Sequence, residues 1–249
     1  MLPDSEVSVC TLLPDVLGTY SDGGNARVLC SRLRWRGIPA RQVTCTVDQQ
    51  PPTSCDIYLL GGGEDTSQLF ATEWLRQRPQ LCNTLADRSL TLAVCAGMQI
   101  LGVSMADVHG REHVGVGLLN ITTTPRRRRA TGEVVSRSAE VGLLTGFENH
   151  RGATELGDDV RPLAHVLSGV GNGDGRFGRR ATDGVRTDHI IATYMHGPVL
   201  ARNPALADHI LASVTGSSLT EIDLPDQRAL RESYLAGSAS QTMRGGKRG

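Results

Sequence analysis

The sequence predicts an α/β fold with a mostly parallel central sheet flanked by helices. Two observations carry this. Apolar runs of strand length alternate with helically spaced segments as far as residue 102, and two of those runs lead straight into small residues, "GGG" and "CAG". The 249 residues suffice for one large domain whose core needs neither disulfide nor metal. We expect one domain over 1–236 and a disordered tail over 237–249, where "SASQTMRGGKRG" lacks an apolar pattern.

Taken in order, "EVSVCTLL" reads as the first strand. "YSDGGNARVLCSRLRWRGI" then gives a loop and a helix, with Val28, Leu29, Leu33 and Ile38 near helical spacing. "ARQVTCTV" alternates as a strand, and "CDIYLLGGG" is an apolar strand ending in three glycines. "DTSQLFATEWLRQ" and "LCNTLADR" carry helical patterns before "LTLAV", the next buried strand, which leads into "CAGMQILG". From about residue 114 the texture changes to short runs, among them "VGLLNITTT", "GEVVSRS", "GLLTGFEN", "AHVLSGV" and "HIIATYM". This strand-rich second half is expected to extend or decorate the same sheet. "NPALADHILASVTG", with Leu206, Ile210 and Leu211, and "PDQRALRESYLAG" predict two closing helices.

Acidic and basic residues balance at 26 each, so no net field draws nucleic acid or an anionic membrane to the whole molecule. Lys247 is the only lysine, and we attach no function to that. The six cysteines form no CxxC pair, and the first residues show neither the basic nor the apolar region of a signal peptide, so a reduced, cytoplasmic protein is expected. No run approaches the roughly 18 apolar residues of a membrane span.

Chemistry concentrates at Cys95. A buried strand delivering one residue at a sharp turn into a helix is the layout of a nucleophile elbow, and Ala96 and Gly97 are small enough for the turn and for a substrate to approach. Cysteine is also among the residue types most often buried without any role, so a base is required. His196 supplies a candidate, because it ends an apolar strand and precedes Gly197 and Pro198. His109 and His113 have the i, i+4 spacing of a metal pair, but Gly110 and Gly115 argue against a helix, and a solvated loop is expected; no metal site is expected. Gly61, Gly62 and Gly63 end a strand where N–H groups could meet an oxyanion. The run Arg126 to Arg129 reads as a solvated loop, a nucleic-acid patch or a carboxylate clamp, and spacing alone does not choose.

The stretches "YSDGGN", "IYLLGGGED", "VCAGMQILG", "TGEVV", "GFENHRG", "GVGN" and "TYMHGP", in this order and spacing, resemble the class I glutamine amidotransferase family and its cobyric-acid-synthase-like branch over roughly residues 7 to 235. The resemblance implies a flavodoxin-like fold, with Cys95 as the nucleophile on the glutamine amide and His196 as its base. It also implies Arg129 as the glutamine-binding residue, and Gly62 with the Ala96 N–H as the oxyanion hole. "ENHRG" is similar to the branch's "ENHGG", without a role for Glu148, Asn149 or His150. The acid that often follows the histidine in this class is absent, which implies a Cys–His dyad, with a carboxylate of the partner chain expected to orient His196. A glutaminase of this kind needs an acceptor-activating partner. The resemblance implies a heterodimer with a Mur-ligase-like synthetase subunit, MurT, which would use ATP and Mg²⁺ to amidate D-glutamate in the lipid II stem peptide. No cofactor is expected in this chain. A glutaminase for a cobyric-acid-type synthetase and a non-catalytic interaction domain on the same fold are the alternatives.

Overall fold

A computed structural model of the chain describes residues 6–18, 22–175 and 181–245. β1 (Val7–Leu12) is almost wholly buried, as a strand covered on both faces must be, and its apolar run follows from that. α1 (Gly24–Arg34) buries Ala26, Leu29, Cys30 and Leu33. Arg32 on the same helix is buried too, which is tolerable because it donates two hydrogen bonds to Asp208, at 2.7 and 2.6 Å. β2 (Ala40–Cys45) buries only its two ends, and β3 (Ile57–Leu60) is buried throughout. There follow α2 (Asp65–Arg76), α3 (Pro79–Asp87), β4 (Leu90–Val94) and the short α4 (Ala96–Ile100).

Beyond α4 come β5 (Ser104–Ala106), β6 (Glu112–Val114), β7 (Ile121–Ser138), β8 (Gly142–Leu156), β9 (Ala164–Ser168), β10 (Thr182–Asp183), β11 (Val185–Arg186) and β12 (Ile190–Thr193). The chain closes with α5 (Val199–Arg202), α6 (Pro204–Thr215) and α7 (Pro225–Gly245). α7 runs past the point where the sequence places a disordered tail, and residues 246–249 of that tail lie outside the described residues. Among the described residues no helix is long and apolar enough to cross a membrane.

The first sheet has the order β11-β12-β4-β3-β1-β2, parallel throughout except for β11. From β1 the chain pairs with β2 on one side and β3 on the other. In an open parallel sheet the carboxyl ends of the strands near such a reversal form the crevice for a ligand, and the loops after β1, β3, β4 and β12 meet there.

The strand-rich half does not simply extend this sheet. Only β11 and β12 join it, while the remaining strands make a second sheet, β10-β9-β7-β5-β6, with β8 paired to β7. The reason lies in connectivity. A parallel pair needs a long crossover, whereas β7 and β8 are joined by a tight turn at Gly142 (φ +75°) and satisfy each other as an antiparallel hairpin. The register of that hairpin jumps from Pro125↔Gly152 to Ala130↔His150, so Arg126 to Arg129 bulge out opposite Arg151. The two sheets touch at the crevice, through a bridge between Phe147 and His196.

Candidate active site

β4 delivers Cys95 with φ +52° and ψ −106°, a conformation a non-glycine residue holds only when its surroundings enforce it. They do so from both sides. The Cys95 N–H donates to Thr193 O of β12 at 2.9 Å, and the Gly97 N–H donates to Gly61 O at 3.2 Å. A side chain at Gly97 would place its Cβ 2.8 Å from Leu60 O and 2.9 Å from Leu60 Cβ, so the elbow packs onto β3 only with glycine there. Cys95 itself stays 8% exposed.

His196 follows β12, and its N–H donates to Phe147 O at 2.8 Å, which ties this candidate base to the second sheet. Its Nδ1 lies 3.4 Å from Oδ2 of Asp22, and both side chains are buried. Burial opposes a charge on this imidazole. Hydrogen bonding to Asp22 and to Cys95, with the charge of each, outweighs burial and pushes its pKa up to about 9. The orienting carboxylate expected from a partner chain is thus present within this chain, on the loop after β1. Asp22 belongs to "YSDGGN", whose pattern alone points to no role for it; Tyr20 and Ser21 of that stretch lie outside the described residues.

The geometry also changes the expected oxyanion hole. The Gly62 N–H donates to Asp22 Oδ2 at 2.8 Å, so it is engaged by the orienting carboxylate. Gly62 packs against the base so closely that a Cβ there would sit 2.7 Å from His196 Cε1. Gly63, the next residue, lines the cavity together with Cys95 and His196. Ala96 opens α4, where the first-turn N–H groups have no carbonyl partner within their own helix.

The cavity has a volume of about 290 Å³. Arg129 lines it from the bulge of β7, so the structure brings Cys95, His196 and Arg129 around one space. Arg129 Nη1 donates to Asn149 Oδ1 at 2.7 Å, and its Nη2 lies 4.0 Å from Glu64 Oε2. Gln68 and Gln99 line the cavity and begin a chain of polar side chains that runs beneath it. Gln68 Nε2 donates to Gln99 Oε1 at 2.6 Å and Gln99 Nε2 to the Tyr194 hydroxyl at 2.9 Å, which in turn meets Thr154 Oγ1 at 2.6 Å. In "ENHRG", Glu148 accepts the N–H groups of Val170 and Gly171 at 2.8 Å each, and His150 stacks on Tyr194 with centroids 3.7 Å apart. Of the two histidines expected in a solvated loop, His109 is in an exposed turn but His113 is half-buried in a strand. His113 lies in β6, with Nε2 3.4 Å from Asp107 Oδ2.

A strained cysteine on an elbow, a buried imidazole beside it and an arginine across the cavity suit acyl transfer from a small amide carrying a carboxylate. A family profile described as CobB/CobQ-like glutamine amidotransferase domain matches residues 8–204. The chain belongs to this family. As a glutamine amidotransferase it is similar to the lipid II isoglutaminyl synthase (glutamine-hydrolyzing) subunit GatD of Staphylococcus aureus (strain N315), with 33% identity over 83% of each chain. It is also similar to the subunit of the same name from Streptococcus pneumoniae (strain ATCC BAA-255 / R6), with 28% identity over 84% of this chain and 80% of the other. A solved glutamine amidotransferase shares the fold with a TM-score of 0.53, at 19% identity over 83% of this chain and 98% of that one. The amidotransferase fold and a glutamine-hydrolysing activity follow from these likenesses and were legible in the sequence.

Proposed function

We propose that this amidotransferase is the glutaminase subunit of a lipid II isoglutaminyl synthase, working in the cytoplasm with a Mur-ligase-like partner of the MurT type. Arg129 holds the α-carboxylate of L-glutamine, and the Cys95 sulfur, its proton passed to His196, attacks the side-chain amide carbon. N–H groups of Ala96 and of the strand end at Gly63 face the oxyanion that forms. His196, oriented by Asp22, gives its proton to the departing nitrogen, so ammonia leaves and a thioester remains. The same imidazole then takes a proton from water, which attacks the thioester and releases glutamate. Ammonia passes to the partner, which holds ATP and Mg²⁺, activates the α-carboxyl of D-glutamate in the stem peptide and yields D-isoglutamine.

The observation that carries the catalytic reading is the placement of Cys95, His196 and Arg129 around one cavity, with Asp22 behind the base. The likeness to two GatD subunits over most of both chains supports the acceptor. The test combines the purified chain and the Mur-ligase-like subunit of the same organism with lipid II, ATP, Mg²⁺ and glutamine. Mass spectrometry should show the stem peptide amidated. Cys95→Ala should abolish this with glutamine and leave it intact with an ammonium salt. Amidation of a corrinoid acid with lipid II untouched would assign the chain to a cobyric-acid-type synthetase instead.

A further inference from the structure

The bulge in β7 leaves charge that the catalytic reading does not use. Arg129 has polar partners in Asn149 and Glu64, but among the described residues the exposed Arg127 and Arg128 next to it have no such partner, nor does Arg151 across the hairpin. Among the described residues these three form no ion pair, while the nearby acids are engaged: Glu64 faces Arg129, and Asp65 accepts the Val108 N–H at 3.3 Å. The surplus borders the cavity, with Arg127 and Arg128 around an adjoining surface hollow on the same bulge. Arg151 lines the cavity itself, and the bulge is anchored by Pro125 and Arg129, which line it too. Overall charge is balanced, so this cluster is a local positive rim on a protein of zero net charge. Val108, 54% exposed and also on the cavity wall, adds an apolar contact beside it.

Ammonia that escapes into water is lost to the acceptor reaction, so an acceptor enzyme has to cover this cavity. We propose that Arg127, Arg128 and Arg151 form the docking rim for the synthetase subunit, which meets them with an acidic face and closes over Val108. This rests on the proposed partnership with an ATP-dependent synthetase. Guanidinium groups suit the task, since they are weakly hydrated and pair with carboxylates in bidentate fashion. Rim charges of this kind govern encounter rate and salt dependence more than the packing of the final complex.

The test measures association of the chain with the Mur-ligase-like subunit of the same organism by biolayer interferometry, between 50 and 500 mM NaCl. The wild-type affinity should fall as salt rises. Arg127→Glu/Arg128→Glu/Arg151→Glu should weaken it about tenfold or more at low salt and flatten the salt dependence. The corresponding triple lysine variant should keep most of the affinity, and unchanged melting temperatures establish that both variants fold. Equal binding by the wild type and the glutamate variant at every salt overturns the rim while leaving the partnership standing. Failure of the wild type to bind sinks both. Tight binding of inorganic pyrophosphate that only the glutamate variant loses, with association unchanged, would assign the rim to a phosphate ligand instead.

Discussion

Oδ2 of Asp22 lies 3.4 Å from Nδ1 of His196 and 2.8 Å from the Gly62 nitrogen, so one carboxylate holds both the base and the strand end beside it. The loop after β1 thereby completes a Cys–His–Asp arrangement without help from another chain. The consequence for pH is specific. Burial lowers the imidazole pKa, but Asp22 and Cys95 together raise it from 6.5 to about 9. The stability this pairing contributes is fully present below pH 6.5 and is lost as pH rises through about 9. Asp22→Asn should bring the alkaline limb of kcat/KM down from near pH 9, and should lower kcat at neutral pH on the order of 100-fold. An unchanged alkaline limb in the variant would remove Asp22 from the site.

Gly62→Ala and Gly97→Ala separate the two walls of the elbow. A Cβ at Gly62 would meet His196 Cε1 at 2.7 Å, so the imidazole has to move, and glutamine turnover should fall on the order of 100-fold with little change in melting temperature. At Gly97 the obstacle is the backbone oxygen of Leu60, at 2.8 Å, which cannot step aside. That variant should lose about 1–3 kcal/mol of stability as well as activity, measured by urea denaturation. Wild-type turnover in Gly62→Ala would show that the base is not confined as described.

Arg129 is held at the cavity by Asn149, the hairpin partner of Thr131, which accepts its Nη1 at 2.7 Å. If it binds the substrate carboxylate, Arg129→Ala should raise KM for glutamine roughly 10- to 100-fold while leaving kcat nearly intact, as expected when a charged hydrogen bond is removed. Asn149→Ala removes only the support and should raise KM roughly 2- to 10-fold. A loss confined to kcat in both variants would contradict a binding role.

Arg129 is singled out from its basic run only by the family resemblance, but Cys95 and His196 were legible as candidates from adjacent residues: a buried strand before a small-residue turn, and a strand end before glycine. Asp22 was not, since its role is made by a contact between the loop after β1 and the end of β12, which no local pattern reports. The choice between Gly62 and Gly63 turns on which N–H faces the cavity at a strand end. Successive residues there point in opposite directions, and three consecutive glycines give no side-chain pattern to fix the register. The second sheet was hidden for a related reason. Short apolar runs announce strands, but the hairpin partner of β7 is set by the turn at Gly142 and by register, not by composition.

Asp183 gives a pH test of the support behind the nucleophile. It is fully buried, accepts Thr193 Oγ1 at 2.5 Å and the Tyr194 N–H at 3.3 Å, and so anchors the residue whose carbonyl receives the Cys95 N–H. Burial dominates and pushes its pKa up from 3.8 to about 7, against the Thr193 and Tyr194 hydrogen bonds and with Glu148 and Asp174 adding to the rise. The sign follows from proton uptake. Between pH 3.8 and about 7 the folded protein keeps a proton that the unfolded chain has released, so this group's contribution to stability falls across that window and is gone above it. In Asp183→Asn the contribution is absent, so the melting temperature of the wild type relative to the variant should decline from pH 4 to 7 and then level off. The decline from pH 6.5 to 9 that His196 contributes should remain in both proteins. Parallel melting curves across pH 4 to 7 would show that Asp183 does not carry its proton into the folded state.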